Sequence, residues 1–90
     1  MRGMLSFLIL FILSKKSMHG QEVASELAKR RGDKPSPGTI YPALKDLKIA
    51  GLVKEKKKGR TTTYNLTPQG RKVLDIAKRK FCRIFMGVVS

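Results

Sequence analysis

The chain begins with an almost uninterrupted apolar run, and apolar residues recur at helical spacing in much of the remaining sequence. Between Met4 and Leu13 only Ser6 is polar. This pattern predicts a helix that is apolar on nearly every side, and such a helix has to be covered from more than one direction. Because 90 residues provide little material for that cover, the run favours contact with a second subunit.

Two amphipathic helices are predicted next, since each has an apolar stripe that should face the core. The second helix of the chain ends at Gly32, a residue type that commonly stops helices, and the third helix ends at Gly51. The apolar stripe of the second helix contains Val23, Ala24, Leu27 and Ala28, and that of the third contains Ile40, Ala43, Leu44 and Leu47.

A hairpin and a last helix complete the predicted fold. Strands are expected over Leu52–Lys57 and Thr61–Leu66, joined by Lys58-Gly59-Arg60. Thr67 is a good N-cap and Pro68 a good first residue for a helix that runs to about residue 87. The order α-α-α-β-β-α is a mainly α fold with a small β-hairpin (α+β). We expect residues 1–67 to form the binding unit and residues 68–90 a dimerisation helix, within one compact domain.

The start of the third helix contains residues that helix interiors avoid. Ser36 and Pro37 suit the N-cap and the first helical position, but Pro42 should clash with the carbonyl of Gly38 unless the helix bends or begins later. The first turn therefore combines small side chains with backbone N–H groups that have no partner inside the helix. Such a turn suits the approach of a phosphate or a base edge.

The charge of the chain points towards a polyanion. Twenty Lys and Arg stand against six Asp and Glu, a net charge of +14, which is compatible with nucleic acid, an anionic membrane or a solvated surface. The outer face of the third helix carries Tyr41, Lys45 and Lys48, and the hairpin after it has a basic tip. A reading helix followed by such a hairpin predicts a winged helix-turn-helix that binds double-stranded DNA.

Two sets of residues are expected to contact the DNA. In the recognition helix, Tyr41 and Lys45 are the base-reading candidates, and the full set is Ser36, Gly38, Thr39, Tyr41 and Lys45. The wing and backbone set, expected to bind phosphates, is Lys34, Lys56, Lys57, Lys58, Arg60, Thr61 and Thr62.

The last helix predicts a homodimer. Its apolar residues step three and four positions at a time, as in a coiled-coil seam, although packing against its own domain would give the same spacing. An apolar first helix and this seam could cover each other in a two-fold interface. The expected interface contains Phe7, Leu8, Phe11, Leu74, Ala77, Phe81, Ile84, Phe85 and Val88.

The sequence predicts no metal site, cofactor or catalytic residue. Cys82 is the only cysteine and His19 the only histidine, which is too few ligands for a structural zinc site. The alternative is a Cys–His catalytic pair. Both residues are accounted for without catalysis if Cys82 is a small apolar packing residue on a helix and His19 is a polar residue at a helix start. We expect Cys82 to be an inert packing residue, because a thiol among apolar neighbours has a raised pKa.

Three stretches together resemble the PadR family of transcriptional regulators. They are "GMLSFLILFILSKKSMHGQEVASEL", "SPGTIYPALKDLKIAGLV" and "GRTTTYNLTPQG", and they extend from Gly3 to about Leu74. The resemblance implies a winged-helix homodimer that represses transcription from a roughly palindromic operator. It also implies, for many members, release by small phenolic or lipophilic ligands. Gln21 replaces an aromatic residue that is usual in the family, and the chain has no tryptophan, so the sequence does not support such an effector.

We therefore expect a cytoplasmic, nucleoid-associated regulator that binds a specific operator and does not act at a membrane. An architectural or RNA-associated winged helix would use the same charge without an operator. A secreted or membrane-active cationic protein, with residues 1–17 as a cleaved targeting segment, is the alternative from another class. The apolar run is too short to span a bilayer, and an intact-mass measurement would detect its cleavage.

Overall fold

A computed structural model describes the backbone of residues 2–32 and 35–89, and the side chains of residues 5–30, 32 and 35–80. The order of helices and of the hairpin strands confirms the predicted winged-helix arrangement. The helices are α1 (Arg2–Leu13), α2 (Gly20–Arg31), α3 (Pro37–Ile49) and α4 (Pro68–Val89). The strands are β1 (Met18–His19), β2 (Val53–Lys58) and β3 (Thr61–Leu66).

The strands form one antiparallel sheet in the order β1-β3-β2. Strand β1 was not predicted, because two residues are too few to show a period-two pattern; Met18 pairs with Tyr64. The hairpin closes at the pair Lys58–Thr61. Gly59 has a φ of 63°, so a glycine occupies the first central position of the turn, as tight hairpin turns of type II′ require.

Helix α1 is part of the core of a single chain. It contacts all three other helices, and Ile9, Leu10, Ile12 and Leu13 are buried. Cleavage after residue 17 would remove these four side chains from the core. Within the described residues, no helix combines the length and hydropathy that a bilayer crossing requires.

The outer side of α1 remains partly uncovered. Phe7, Leu8 and Phe11 are half-buried, and so is Ala77 on α4. The Phe11 ring has the cationic groups of Lys15, Arg30 and Lys78 at 4.8, 5.1 and 5.3 Å from its centroid. Contacts of this kind stabilise a cation over an aromatic face, so part of the ring is shielded by its own chain.

The structure corrects one residue of the expected dimer interface. Leu74 has no exposed surface because α4 packs this position into the core of its own chain, so Leu74 cannot meet a partner. The apolar α4 side chains that remain exposed are Val73 and Ile76, at 38% and 51%. The predicted interface side chains of Phe81, Ile84, Phe85 and Val88, and that of Cys82, lie outside the described residues.

Both ends of helix α3 are set by residues close to them in the sequence. Ser36 is the N-cap and Pro37 the first helical residue, and the helix continues through Pro42. The Ser36 hydroxyl does not bond the helix backbone; it lies 3.3 Å from the Thr39 hydroxyl. At the other end, Leu52 N–H donates to Leu47 O and Gly51 N–H to Lys48 O, the two bonds of a Schellman motif.

The base of the hairpin and the start of α4 are joined at one junction. The Thr67 hydroxyl donates to Gly51 O at 2.7 Å and accepts from Gly70 N–H at 2.9 Å. Thr67 N–H donates to Leu52 O. Gly70 packs so closely on this carbonyl that an added Cβ would lie 2.1 Å from Leu52 O. The junction therefore fixes where the wing leaves the domain and where α4 starts.

Candidate nucleic-acid interface

Helix α3 separates a buried face from an exposed one. Ile40, Leu44 and Leu47 are buried in the core. The residues predicted to form the recognition surface are all exposed: Ser36, Gly38, Thr39, Tyr41 and Lys45. Helix α2 ends at Gly32, whose left-handed conformation (φ 87°) stops the helix. Helices α2 and α3 are thus arranged as a helix-turn-helix, with the small residues of the first α3 turn on its surface.

The start of α2 determines the position of Tyr41. His19 caps the helix through a reciprocal capping box: its Nδ1 accepts from Glu22 N–H at 3.3 Å, and Glu22 Oε1 accepts from His19 N–H at 3.1 Å. Gly20 follows, and the Tyr41 ring packs on it. A Cβ built on Gly20 would lie 2.6 Å from Tyr41 Cε1. In the sequence triplet Met-His-Gly, the histidine therefore caps α2 and the glycine leaves room for the Tyr41 ring. The sequence predicted His19 at a helix start but not the contact between Gly20 and Tyr41.

The wing presents its cations to solvent. Lys56, Lys57, Lys58, Arg60 and Thr61 are exposed and Thr62 is half-buried. No carboxylate lies in the tip between residues 56 and 62, so the positive charge there is not neutralised by a neighbour in the chain segment. Lys34, predicted to help bind the backbone, lies outside the described residues.

An ion pair connects the reading helix to the wing. Lys48 Nζ of α3 donates to Glu55 Oε1 of β2 at 2.6 Å. The hydrogen bond from Lys48 is the main reason that the pKa of Glu55 lies below its ordinary value of 4.5. Burial, followed by the nearby Glu55 charge and by Tyr41, raises the pKa of Tyr64, which lies opposite Glu55 in the sheet. The sequence placed Lys48 on the outer face of α3, but it gave no sign of this partner.

An open groove of about 350 Å³ separates α3 from the wing. It combines side chains from the start of α2, from α3 and from the hairpin, and its polar groups are chiefly hydroxyls and a guanidinium. The groove is lined by His19, Gly20, Tyr41, Arg60, Thr61, Thr62 and Tyr64. In the described part of the chain, no cluster of three or more histidine, cysteine or acidic side chains could hold a metal ion.

These features define a winged helix-turn-helix protein, in which a packed helix, a turn and an exposed reading helix precede a basic hairpin. Residues 9–76 match the sequence model of the Transcriptional regulator PadR-like family. The chain belongs to the PadR-like family of transcriptional regulators, which confirms the resemblance. This family is one of transcriptional regulators and not of enzymes.

Solved structures with this fold superpose over most of the chain. A PadR family transcription regulator from Clostridium difficile R20291 is 30% identical, with a TM-score of 0.78 over 92% of this chain and 91% of that one. RosR from Halobacterium salinarum is 29% identical, with a TM-score of 0.79 over 87% of this chain and 73% of that one.

Two curated proteins are similar in sequence over part of their length. Transcriptional activator GvpE1 of Halobacterium salinarum is 34% identical over 64 residues, which are 70% of this chain and 34% of that protein. A 37.1 kDa transposon protein of Streptomyces fradiae is 31% identical over 78 residues, 86% of this chain and 23% of that protein. The chain thus spans about a third or less of the curated relatives that it matches.

Proposed function

We propose that the protein binds a specific double-stranded DNA operator as a homodimer and represses transcription there. The observation that carries this proposal is the exposed face of α3 beside a wing with basic residues at its tip. A homodimer with two such reading helices would favour a roughly palindromic operator. Because its target is the chromosome, we propose that it works in the cytoplasm, at the nucleoid.

The two parts of the surface should do different work. Lys45 is exposed on α3 and can reach guanine acceptors in the major groove, where side chains discriminate bases. Ser36, Gly38 and Thr39 form an exposed turn of small residues that lets the helix approach the bases closely. The lysines of the wing should instead bind phosphates, which give affinity without sequence preference. An architectural or RNA-associated protein would need only this second contribution.

Operator preference is the first expected result. Once bound genomic fragments have been selected, the wild-type protein should prefer its operator over bulk duplex by about a thousandfold or more. Lys45→Ala should weaken operator binding by about 1–3 kcal/mol and change binding to random duplex much less. Lys57→Ala and Lys58→Ala should weaken both, and each should reduce the salt-dependence slope by about one unit.

Titrations of fluorescent duplexes at several salt concentrations measure all of these effects. Lys72→Ala is the matched control, since Lys72 is an exposed cation of α4 outside the predicted DNA-contacting residues, and its slope should equal that of the wild type. A wild-type preference near one would favour the architectural alternative. One relative is described as an activator, so reporter transcription with and without the protein has to establish the sign of regulation.

Dimerisation is proposed through α1 and α4. The half-buried Phe7, Leu8, Phe11 and Ala77 and the exposed Val73 and Ile76 leave apolar surface on these helices. Continuation of the interface into Phe81, Ile84, Phe85 and Val88 remains a prediction from the sequence. Apolar surface of this kind is stabilised when a second copy covers it.

Ile76→Glu is therefore expected to convert the dimer into a folded monomer. Ile76 is 51% exposed in one chain, so a charge there costs the monomer little. In a two-fold dimer it removes two buried isoleucine contacts, about 3 kcal/mol or more, which weakens association about a hundredfold or more. Sedimentation velocity measures the shift, and circular dichroism checks that the helices persist.

The matched control is Ile49→Glu, the same replacement at a 73% exposed position on α3. It should leave the dimer intact, since Ile49 lies outside α1 and α4. If Ile76→Glu sediments like the wild type, or if the wild type is a monomer at micromolar concentration, this interface is wrong.

A further inference from the structure

The groove between α3 and the wing has the chemistry of an anion site. Four of its lining residues have side chains that can donate hydrogen bonds to an anion, through a guanidinium or a hydroxyl: Arg60, Tyr41, Thr61 and Thr62. Among the described residues that line it, none has a carboxylate. Between a reading helix and a wing, the anion that fits is a phosphodiester of the DNA backbone, because phosphates border each groove of a duplex.

Tyr41 is held at the wall of this groove by its contact with Gly20. The position that a Gly20 Cβ would take lies 2.7 Å from the Tyr41 hydroxyl oxygen and 2.8 Å from Cζ. Gly20 is buried, so the hydroxyl end of the ring rests against the first residue of α2. Lys45, one turn further along α3, does not line the groove. The tyrosine therefore leans towards the protein body and the wing.

The Tyr41 ring has one covered side and one open side. The residue is 42% exposed, so the side of the ring that does not contact Gly20 remains open to a ligand. Tyr64 of β3 lines the same groove and is close enough for Tyr41 to contribute, after burial and Glu55, to the raised pKa of Tyr64. His19 also borders the groove, but its Nδ1 is occupied by Glu22 N–H.

We propose that Tyr41 donates its hydroxyl hydrogen to a DNA phosphate held in this groove together with Arg60 and the wing threonines. Its role is to fix the position of the duplex, and base reading passes to Lys45 and the first turn of α3. This inference revises the base-reading role expected for Tyr41. It rests on the proposed DNA binding, which it makes specific to one backbone contact.

The test compares Tyr41→Phe and Lys45→Ala on an operator duplex and a random duplex of equal length. Tyr41→Phe removes one hydroxyl, and loss of a hydrogen bond to a charged group should weaken both duplexes by the same factor, about tenfold or more. The operator preference should stay unchanged. Lys45→Ala should instead reduce the preference.

A second variant moves the ring without removing its hydroxyl. Gly20→Ala places a Cβ within 3 Å of Tyr41, so the ring has to shift, and both duplexes should again be weakened equally. Circular dichroism and the thermal midpoint show whether Gly20→Ala is folded; Tyr41→Phe carries the test if it is not.

Operator duplexes with a single neutral methylphosphonate locate the contact. At one position per half-site, the neutral linkage should weaken the wild type more than it weakens Tyr41→Phe, which keeps only the contacts of Arg60 and the threonines to that phosphate. A loss confined to the operator, or no loss with Tyr41→Phe, overturns the phosphate contact and leaves the DNA-binding proposal standing. Absence of wild-type binding to any duplex would instead refute the proposed function itself.

Discussion

Gly70→Ala is expected to destabilise the protein by about 3 kcal/mol, the upper part of the range for overpacking a filled site. The new Cβ would lie 2.1 Å from Leu52 O and 2.8 Å from Leu66 Cδ1. The leucine methyl can rotate away, but the carbonyl belongs to the backbone and accepts from Thr67 N–H. Either α4 moves or this junction opens. Urea denaturation followed by circular dichroism measures the loss.

Gly38→Ala is the matched control for this prediction. It is the same replacement in the first turn of a helix, and the added Cβ would meet only Ser36 Oγ, at 3.7 Å. Alanine also favours helix over glycine by about 0.5–1 kcal/mol. Gly38→Ala should therefore be neutral or stabilising. Equal midpoints for the two variants would show that α4 does not pack on Leu52 as described.

Ile12→Ala should cost about 2–5 kcal/mol, as expected when a large aliphatic side chain is removed from a packed core. Ile12 is 1% exposed and belongs to the hydrophobic core, and its helix α1 contacts all three other helices. The change therefore leaves a cavity that rigid surroundings cannot fill. Denaturation by urea, at one fixed protein concentration because dimerisation would add to stability, gives the difference.

The exposed Ile49 provides the comparison, since Ile49→Ala removes the same atoms from a 73% exposed side chain and should change stability by less than about 0.5 kcal/mol. If Ile12→Ala were equally mild, α1 would not belong to the core. In that case a detachable N-terminal segment would again account for the apolar run.

The sequence predicted the elements well wherever a local physical cause marks their ends. Gly32 and Gly51 follow α2 and α3, and Pro37 and Pro68 begin α3 and α4, because positive φ and a missing N–H act within one turn. The predicted strand bounds were within one residue of those observed. The sequence did not reveal β1, whose pairing with β3 depends on residues far away along the chain.

Helical spacing was less informative about what each apolar face contacts. The seam on α4 contains residues at intervals of three and four whether they meet a partner or their own domain. Leu74 turned out to be buried in its own chain, whereas Val73 and Ile76 are exposed. On α1 the single chain covers one side, with Ile9 and Ile12 inside.

The candidate site was predicted in its residue types, but not in its geometry. Exposure of the α3 and wing residues follows from their polarity and periodicity. The Lys48–Glu55 pair and the seat of Tyr41 on Gly20 join residues from different elements, so no local pattern contains them. A close approach to the backbone requires a glycine, but a glycine in the sequence does not by itself indicate such an approach, because glycine occurs just as readily in turns and at helix ends.

The hairpin is anchored at its base and exposed at its tip, so its length can change without changing the rest of the fold. Gly51, Leu52 and Thr67 fix the base through backbone and hydroxyl bonds, whereas residues 56–61 are exposed. Each residue pair added beside Gly59 would extend the hairpin by about 3.3 Å. That step is close to the rise of about 3.4 Å per base pair along the DNA helix axis. Lengthening or shortening the hairpin by one pair would thus move its turn, with the exposed Arg60, by a distance equal to about one base-pair step, without disturbing the core.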